Sequence, residues 1–256
     1  MKLYTAKRIE GIGFVSFCLV MAFFFLFWVG SLRGEDTGKY VQELSSKDPA
    51  VRMEAARKLG ETKDSSAVSP LIDVLKRDKH WDVRAAAEDA LVSIGEPAVK
   101  PLTALLNDQD WHVRRRAART LGEIHNPVSD EALVVAMRQD GDCCVRKFSA
   151  KALGNTNDPR AVDVLMAALR ERNMEVVTGA YRFFIRRGEP GSEAILIEAL
   201  SKSWSRTMAC DFFNCGNEKL KKAASDRAKK RAESGLTYYT ADLTADWQGP
   251  KWGGNN

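Results

Sequence analysis

The stretch DPAVRMEAARKLGE, Asp48–Glu61, decides the fold of this chain, because it recurs as DWHVRRRAARTLGE at Asp110–Glu123. The two copies share Asp, Val-Arg, Ala-Ala, Leu-Gly and Glu in register, 62 positions apart. A single globular core has no need of such a copy, whereas self-similarity at a fixed period is typical of repeat architectures. Further copies between and beyond these two define the repeat unit.

Each copy contains an anchor valine, and successive anchors are 30 to 32 residues apart. A small side chain follows the anchor by four residues and a large apolar one by eight, so the three positions share one face of an α-helix. An apolar pair spaced i, i+4 precedes each anchor and indicates another short helix. The sequence therefore predicts a helix–turn–helix unit repeated five to six times. The anchors are Val51, Val83, Val113, Val145 and, in a weaker copy, Val176.

Polar residues and glycines stand at the predicted helix ends. A residue three before the anchor is expected to cap the second helix by accepting backbone N–H bonds. A glycine closes each copy, where a left-handed C-terminal cap is expected. The predicted N-caps are Asp48, Asp110, Asp142 and Asn173, and the predicted C-cap glycines are Gly60, Gly95, Gly122, Gly154 and Gly188.

The pattern D-x-x-V-R-x-x-A-A-x-x-L-G-x resembles the short HEAT-like repeats of the phycobilisome-lyase type, over roughly residues 37–216. The resemblance implies an all-α solenoid, and it says little about function because such repeats serve scaffolds, chaperone-like factors and a few enzymes. It also implies that the Asp and Arg of each copy link neighbouring repeats. Ligand binding is the alternative role for the arginines, which are Arg52, Arg84, Arg114 and Arg146.

Residues 11–30, GIGFVSFCLVMAFFFLFWVG, contain no charged side chain. Twenty helical residues span about 30 Å, the thickness of a bilayer's hydrocarbon core, so the sequence predicts one transmembrane helix before the solenoid. Basic residues precede it, which predicts a single-pass membrane protein with a cytoplasmic N-terminus and an extracytoplasmic repeat domain. The alternative is a cleaved signal peptide and a secreted or periplasmic protein, although the apolar region of a signal peptide is usually only about 7–15 residues long.

These segments give a predicted domain order. It runs from a cytoplasmic N-terminus at 1–10 through the transmembrane anchor at 11–30, a linker at 31–36 and the HEAT-like solenoid at 37–216 to a basic C-terminal helix at 217–235 and a flexible tail at 236–256. The tail contains two tryptophans, so docking, packing back onto the solenoid and disorder all remain open for it.

The second helix of each copy has an outward face. With positions 0, +4 and +8 inward, positions +2 and +6 are the most exposed, and six of these ten residues are basic while one is acidic. Resembling solenoids line their concave side with second helices, which implies a basic stripe along a concave groove. Its partner would be an acidic protein, an anionic glycan or lipid head groups, and a protein with an acidic surface is the predicted partner. A solvated face is the alternative. The candidate protein-binding residues are Arg57, Arg115, Arg116, Arg119, Lys147, Lys151 and Arg182.

The sequence contains no motif that indicates catalysis, a metal or a cofactor. Its three histidines and five cysteines show no CxxC or metal-ligand spacing, and there is no phosphate loop, GxSxG or HExxH. The adjacent Cys143 and Cys144 leave a redox or metal role open. The net charge of +5 is mild and gives no argument for nucleic acid. No small-molecule substrate is identified.

The predicted function is a membrane-anchored scaffold or protein-binding module that uses the concave face of the solenoid and is not an enzyme. The alternative is a lyase-like enzyme, enzyme subunit or chaperone-type factor that acts on a cofactor-bearing protein.

Overall fold

All regular secondary structure in the described part of the chain is helical. A computed structural model describes residues 36–156, 158–203, 205–234, 243 and 249–253, in two compact units with their boundary between Ile94 and Gly95. The first unit contains α1 (residues 36–43), α2 (Pro49–Thr62), α3 (Val68–Arg77) and α4 (Trp81–Ile94). The second contains α5 (Glu96–Leu105), α6 (Trp111–Ile124), α7 (Asp130–Gln139), α8 (Cys143–Leu153), α9 (Pro159–Arg170), α10 (Met174–Arg187), α11 (Glu193–Lys202), α12 (Arg206–Asn214) and α13 (Glu218–Glu233).

Short first helices alternate with longer second helices along most of the chain. The first helices α3, α5 and α7 have ten residues each, and the second helices α2, α4 and α6 have fourteen. In the second unit, α8 packs against both α6 and α10, as stacked neighbours in a repeat array do. The prediction of an all-α, HEAT-like repeat architecture is confirmed, and the described residues form six helix pairs from α1/α2 to α11/α12, followed by α13.

The inward positions of the second helices form the core. Four of the five anchor valines are at most 4% exposed, and the exception, Val51, is 38% exposed. Burying a leucine or valine side chain stabilises a fold by about 1.5–3 kcal/mol, so the repeated apolar positions supply much of the packing energy. All residues four and eight after the anchors are buried: Ala55, Ala87, Ala117, Ser149, Ala180, Leu59, Leu91, Leu121, Leu153 and Phe184.

The predicted N-caps are confirmed. Asp48 and Asp110 each accept a hydrogen bond from the backbone N–H two residues later, at 2.9 and 2.8 Å. Asp142 accepts two, from Cys144 and Val145 at 2.9 and 3.1 Å, and Asn173 accepts from the N–H three residues later at 3.3 Å. Each cap satisfies backbone donors that the first helical turn leaves unpaired.

The predicted left-handed C-cap is found at Gly188, which caps α10 with φ 61°, and not at the other four glycines. Gly60 and Gly122 lie inside their helices, and the left-handed caps come one turn later at Lys63 and His125. Both glycines are packing residues. A Cβ on Gly60 would lie 2.8 Å from the Ala90 Cα, and one on Gly122 would lie 2.8 Å from the Ala152 Cβ.

Gly154 is also not left-handed, with φ −65°, because α8 ends there in ordinary right-handed geometry. Gly95 has φ 78°, but it stands at the start of α5, where it is the N-cap. The repeated glycine therefore marks a close approach of neighbouring helices as often as a helix end.

The repeated arginine has a structural role. Arg52 donates from Nε to the Asp78 carboxylate at 2.6 Å and from Nη1 to the Ser46 carbonyl at 2.8 Å. Arg114 likewise donates from Nε to the Asp140 carboxylate at 2.7 Å and from Nη1 to the Asp108 carbonyl at 2.9 Å. The predicted link between neighbouring copies is found for Arg52 and Arg114, but the acid that each binds stands five residues before the next anchor and is not the predicted N-cap residue.

The prediction of a transmembrane helix is wrong. None of the helices in residues 36–234 that the structure describes is long and apolar enough to cross a membrane. The longest, α13, has 16 residues of which ten are charged, and it spans only about 24 Å. The same finding makes two further predictions wrong: the single-pass membrane localisation and the membrane contact through residues 11–30. Residues 11–30 themselves lie outside the described part of the chain.

Candidate docking surface

Six of the seven predicted binding residues lie on consecutive second helices of the second unit, and Arg57 belongs to the first unit. Arg57 pairs with Glu54 on its own helix, with its Nη1 3.2 Å from Oε2. Since α8 packs against α6 and α10, equivalent positions on these helices stand side by side, with axes about 8–10 Å apart. The six are Arg115, Arg116 and Arg119 in α6, Lys147 and Lys151 in α8, and Arg182 in α10.

The outward arginines of α6 interact within their own helix. The Nε of Arg119 lies 3.3 Å from the Glu123 carboxylate, in a pair of exposed side chains. The Arg115 guanidinium lies 5.4 Å from the centre of the Trp111 ring, within reach of a cation–π interaction. Exposed pairs of this kind contribute only about 0–1 kcal/mol, so a binding partner could replace them at small cost.

The lysines of α8 form the centre of the surface. Lys147 and Lys151 are spaced i, i+4, which puts both ammonium groups on one face of α8. In the described part of the chain, no carboxylate lies within 4.0 Å of either ammonium group. Two like charges at this spacing repel each other slightly, so an anion between them would relieve the repulsion.

A cavity of about 290 Å³ opens beside these lysines, between α8, α10 and the start of α12. Three of the described residues that line it are cationic, and none of them is acidic. The cationic three are Lys147, Lys151 and Arg182, and the apolar contribution comes from Phe148, Ala180, Phe183 and Met208. The cavity therefore combines positive charge with aromatic and aliphatic surface, a composition suited to an anionic group on an apolar body.

A buried carboxylate fixes the cation on α10. Asp211 of α12 has a side chain only 2% exposed, and it accepts hydrogen bonds from the Tyr181 hydroxyl and from Arg182 Nε, both at 2.7 Å. Burial, followed by the neighbouring Asp211 charge, raises the pKa of Tyr181 far above its usual value, so its hydroxyl remains a donor. The guanidinium of Arg182 is thereby held at the edge of the cavity.

Tyr181 and Asp211 are not among the site residues predicted from the sequence. Their separation of 30 residues, close to one repeat period, was the available signal that they stand on neighbouring second helices. That signal does not show that both side chains turn toward one another and toward Arg182, because α12 departs from the repeat pattern.

The adjacent cysteines begin α8. Cys143 is exposed and Cys144 is half-buried. Burial, and then the hydrogen bond with Cys143, raise the pKa of the Cys144 thiol, which keeps it protonated and weakly nucleophilic at neutral pH. Within the described residues there is no cluster of three or more His, Cys, Asp or Glu side chains that could hold a metal ion.

The fold defines an α-helical repeat protein, and comparison with known families identifies its class. The HEAT repeats family matches residues 39–102, 93–142 and 131–209, and the chain belongs to this family. The predicted recognition of HEAT-like repeats is thus confirmed. The phycocyanobilin lyase subunit beta of Thermosynechococcus vestitus is 33% identical over 103 residues, which are 40% of this chain. The match spans 47% of that relative, just under half of its length.

Solved structures of repeat proteins are also similar. The complex of CpcE and CpcF of phycocyanin lyase from Nostoc sp. matches with a TM-score of 0.49 and 20% identity, over 81% of this chain and 94% of that one. A designed armadillo repeat protein matches with a TM-score of 0.36 and 21% identity, over 73% of this chain and 95% of that one. At these scores and identities the likeness adds nothing to the assignment of function.

Proposed function

We propose that the chain is a binding module that holds an acidic protein partner against the outward face of α6, α8 and α10. The observation that carries this proposal is the pair Lys147 and Lys151, whose ammonium groups have no carboxylate within 4.0 Å in the described part of the chain. The adjoining cavity adds Arg182 and no acidic lining residue among those described. A surface used only for solvation would gain stability from local ion pairs, as α2 does.

Electrostatic complementarity would set partner choice and association rate. Cations on neighbouring helices raise the local concentration of an acidic partner and speed its encounter, with an effect that falls as salt screens the charges. Rigid helices keep the backbone positions of these cations at fixed spacing, so the binding step has to order only their side chains.

The test is crosslinking capture with the full chain, followed by identification of the captured proteins by mass spectrometry. The variant carries Arg115→Glu, Lys147→Glu and Lys151→Glu. Its matched control carries Lys222→Glu, Lys229→Glu and Lys230→Glu on α13, which changes the net charge equally with exposed lysines. The parent and the control are expected to capture the same acidic proteins, and the α6/α8 variant to lose them. Equal capture by all three chains would contradict the proposal.

A second candidate function is a subunit or helper of a lyase-type system that handles a cofactor-bearing protein. The observation that favours it is the 33% identity with a phycocyanobilin lyase subunit over 103 residues. The two functions are compatible, because a lyase subunit must also hold a protein. Adding phycocyanobilin to the purified chain tests the lyase-type role: a shift in its visible absorption that disappears in the α6/α8 variant would support it, and an unchanged spectrum would argue against direct cofactor handling.

A further inference from the structure

We infer that the α8–α10–α12 cavity is an anchor pocket for a single carboxylate that the partner protein carries next to an apolar side chain. This inference rests on the proposed docking function and names the chemical group that the surface recognises. It goes beyond general charge attraction, because the cavity has both a directed cationic side and an apolar side.

The cationic side is preorganised. The Nε of Arg182 is occupied by Asp211, and in the described part of the chain neither terminal nitrogen of this guanidinium donates a hydrogen bond. These nitrogens present the planar pair of donors that matches the two oxygens of a carboxylate. Tyr181 and Asp211 act as positioning residues, since they fix the guanidinium through its Nε and not through the nitrogens that would bind.

The uncompensated charges at the cavity attract a carboxylate. Asp211 compensates the charge of Arg182, which leaves Lys147 and Lys151 as the uncompensated charges at the cavity. One incoming carboxylate would reduce the repulsion between the lysines and accept hydrogen bonds from Arg182 at the same time. A neutral amide of the same shape offers one acceptor oxygen and no charge, so it would bind more weakly.

The apolar side and the volume define the rest of the ligand. Met208 is fully buried and Phe183 is 9% exposed, so they form an apolar floor, while Phe148 is half-buried at the wall. A cavity of about 290 Å³ lies at the small end of ligand pockets, which range from about 300 to 1,000 Å³. It therefore suits one or two side chains of a protein partner rather than a large prosthetic group.

The test compares three small probes on the full chain by NMR titration. The probes are N-acetyl-Glu-Phe-amide, N-acetyl-Gln-Phe-amide and N-acetyl-Glu-Ala-amide. The first is expected to bind with a Kd on the order of 1 mM and roughly tenfold more tightly than the other two. Equal binding of the glutamate and glutamine probes by the parent chain would overturn the inference.

Two variants and one control locate the site. Arg182→Gln removes the directed cation, and Thr207→Trp, at an exposed lining position, fills the cavity mouth. Both are expected to remove the preference for N-acetyl-Glu-Phe-amide. The control is Arg187→Gln, an exposed arginine on the same helix that does not line the cavity, and it is expected to bind within about twofold of the parent. Loss of preference in the control alone, or in no variant, would overturn the pocket assignment.

A longer acidic probe separates this inference from the proposed function. Poly-L-glutamate of about twenty residues is expected to bind the parent chain and to bind the Arg115→Glu, Lys147→Glu, Lys151→Glu variant much more weakly. Normal poly-glutamate binding by Thr207→Trp together with unchanged dipeptide preference overturns the pocket and leaves the docking surface intact. Equal poly-glutamate binding by the parent and the triple variant overturns the docking surface itself.

Discussion

The guanidinium of Arg114 holds the carboxylate of Asp140 with two hydrogen bonds, from Nε to Oδ2 at 2.7 Å and from Nη2 to Oδ1 at 2.8 Å. The two residues are 26 positions apart, so the contact joins the start of α6 to the loop before α8. Arg52 and Asp78 make the same contact in the first unit, also 26 positions apart. A guanidinium that donates two hydrogen bonds to one carboxylate forms one of the stronger ion pairs found in proteins. The contact therefore stabilises the stacking of successive copies.

The first prediction concerns the charge of Asp140. Burial would raise the pKa of this carboxyl, but the hydrogen bonds from Arg114 and from the Asp142 N–H outweigh it, and the pKa lies below its usual value. The stabilisation is therefore present above about pH 4, the unfolded value, and is lost as the pH falls through the lower folded value. Asp140→Asn is expected to destabilise the chain by about 1–3 kcal/mol at neutral pH.

Thermal unfolding between pH 7 and pH 3 is the measurement. The amide oxygen introduced by Asp140→Asn can still accept the Asp142 N–H bond, so the change removes the charge and the acceptor of the Arg114 Nε hydrogen bond and leaves the turn before α8 intact. The parent's melting temperature is expected to fall more steeply with acid than that of the variant. Asp163→Asn, an exposed change on α9, serves as the control and should leave the curve unchanged. If the melting temperatures of the parent and of Asp140→Asn fell in parallel with pH, the stabilising role of the Asp140 charge would be refuted.

The second prediction concerns the contact between α8 and α10. A Cβ on Gly179 would lie 2.2 Å from the Lys147 carbonyl oxygen and 3.0 Å from the Ala150 Cβ, so the two helices would have to separate. Gly179→Ala is expected to lower stability by about 1–3 kcal/mol, although alanine normally favours a helix. Denaturant unfolding checks this.

Gly141→Ala is the matched control, because a Cβ there meets no atom within 4 Å. It is expected to be neutral or slightly stabilising. The separation of α8 and α10 should also disturb the neighbouring cavity, so Gly179→Ala should weaken N-acetyl-Glu-Phe-amide binding. If Gly179→Ala were as stable as the parent, α8 and α10 would not be in close contact at this point.

The third prediction concerns residues 249–253, which we call the C-terminal strap. The backbone N–H of Trp252 donates to the Cys215 carbonyl at 2.9 Å, and that of Gly253 donates to a carbonyl in α10 at 2.9 Å. The approach is close, because a Cβ on Gly188 would lie only 2.7 Å from the Gly253 Cα. The strap thus ties the ends of α10 and α12 together.

Deletion of residues 249–256 is expected to lower the melting temperature by several degrees, since two backbone hydrogen bonds contribute about 1–3 kcal/mol. Cys215 is buried, and burial raises the pKa of its thiol, so it should react slowly with alkylating reagents in the parent chain. Its alkylation should become roughly tenfold faster without the strap. Deletion of residues 254–256 alone is the control, and equal rates in both deletions would contradict a protective strap.

Local pattern was sufficient to predict the helices. The spacing of Leu59, Leu91 and Leu121 predicted the buried face, and the aspartates before the anchors predicted the caps. Periodicity succeeded because the buried face of a helix is set by residues only three and four positions apart. The glycines after Leu59 and Leu121 were misassigned, because close helix contact and a left-handed cap both favour glycine and only the first applies there.

The sequence alone determined the repeat, its period and which side of each second helix turns inward, because these depend on short-range spacing. Only the tertiary structure decided which acid each arginine binds, that Tyr181 and Arg182 meet Asp211, and that Lys147 and Lys151 border a cavity. These contacts join residues about one repeat apart. They depend on the rotation of each helix against its neighbour and on the side-chain conformations there, which the one-dimensional pattern does not specify.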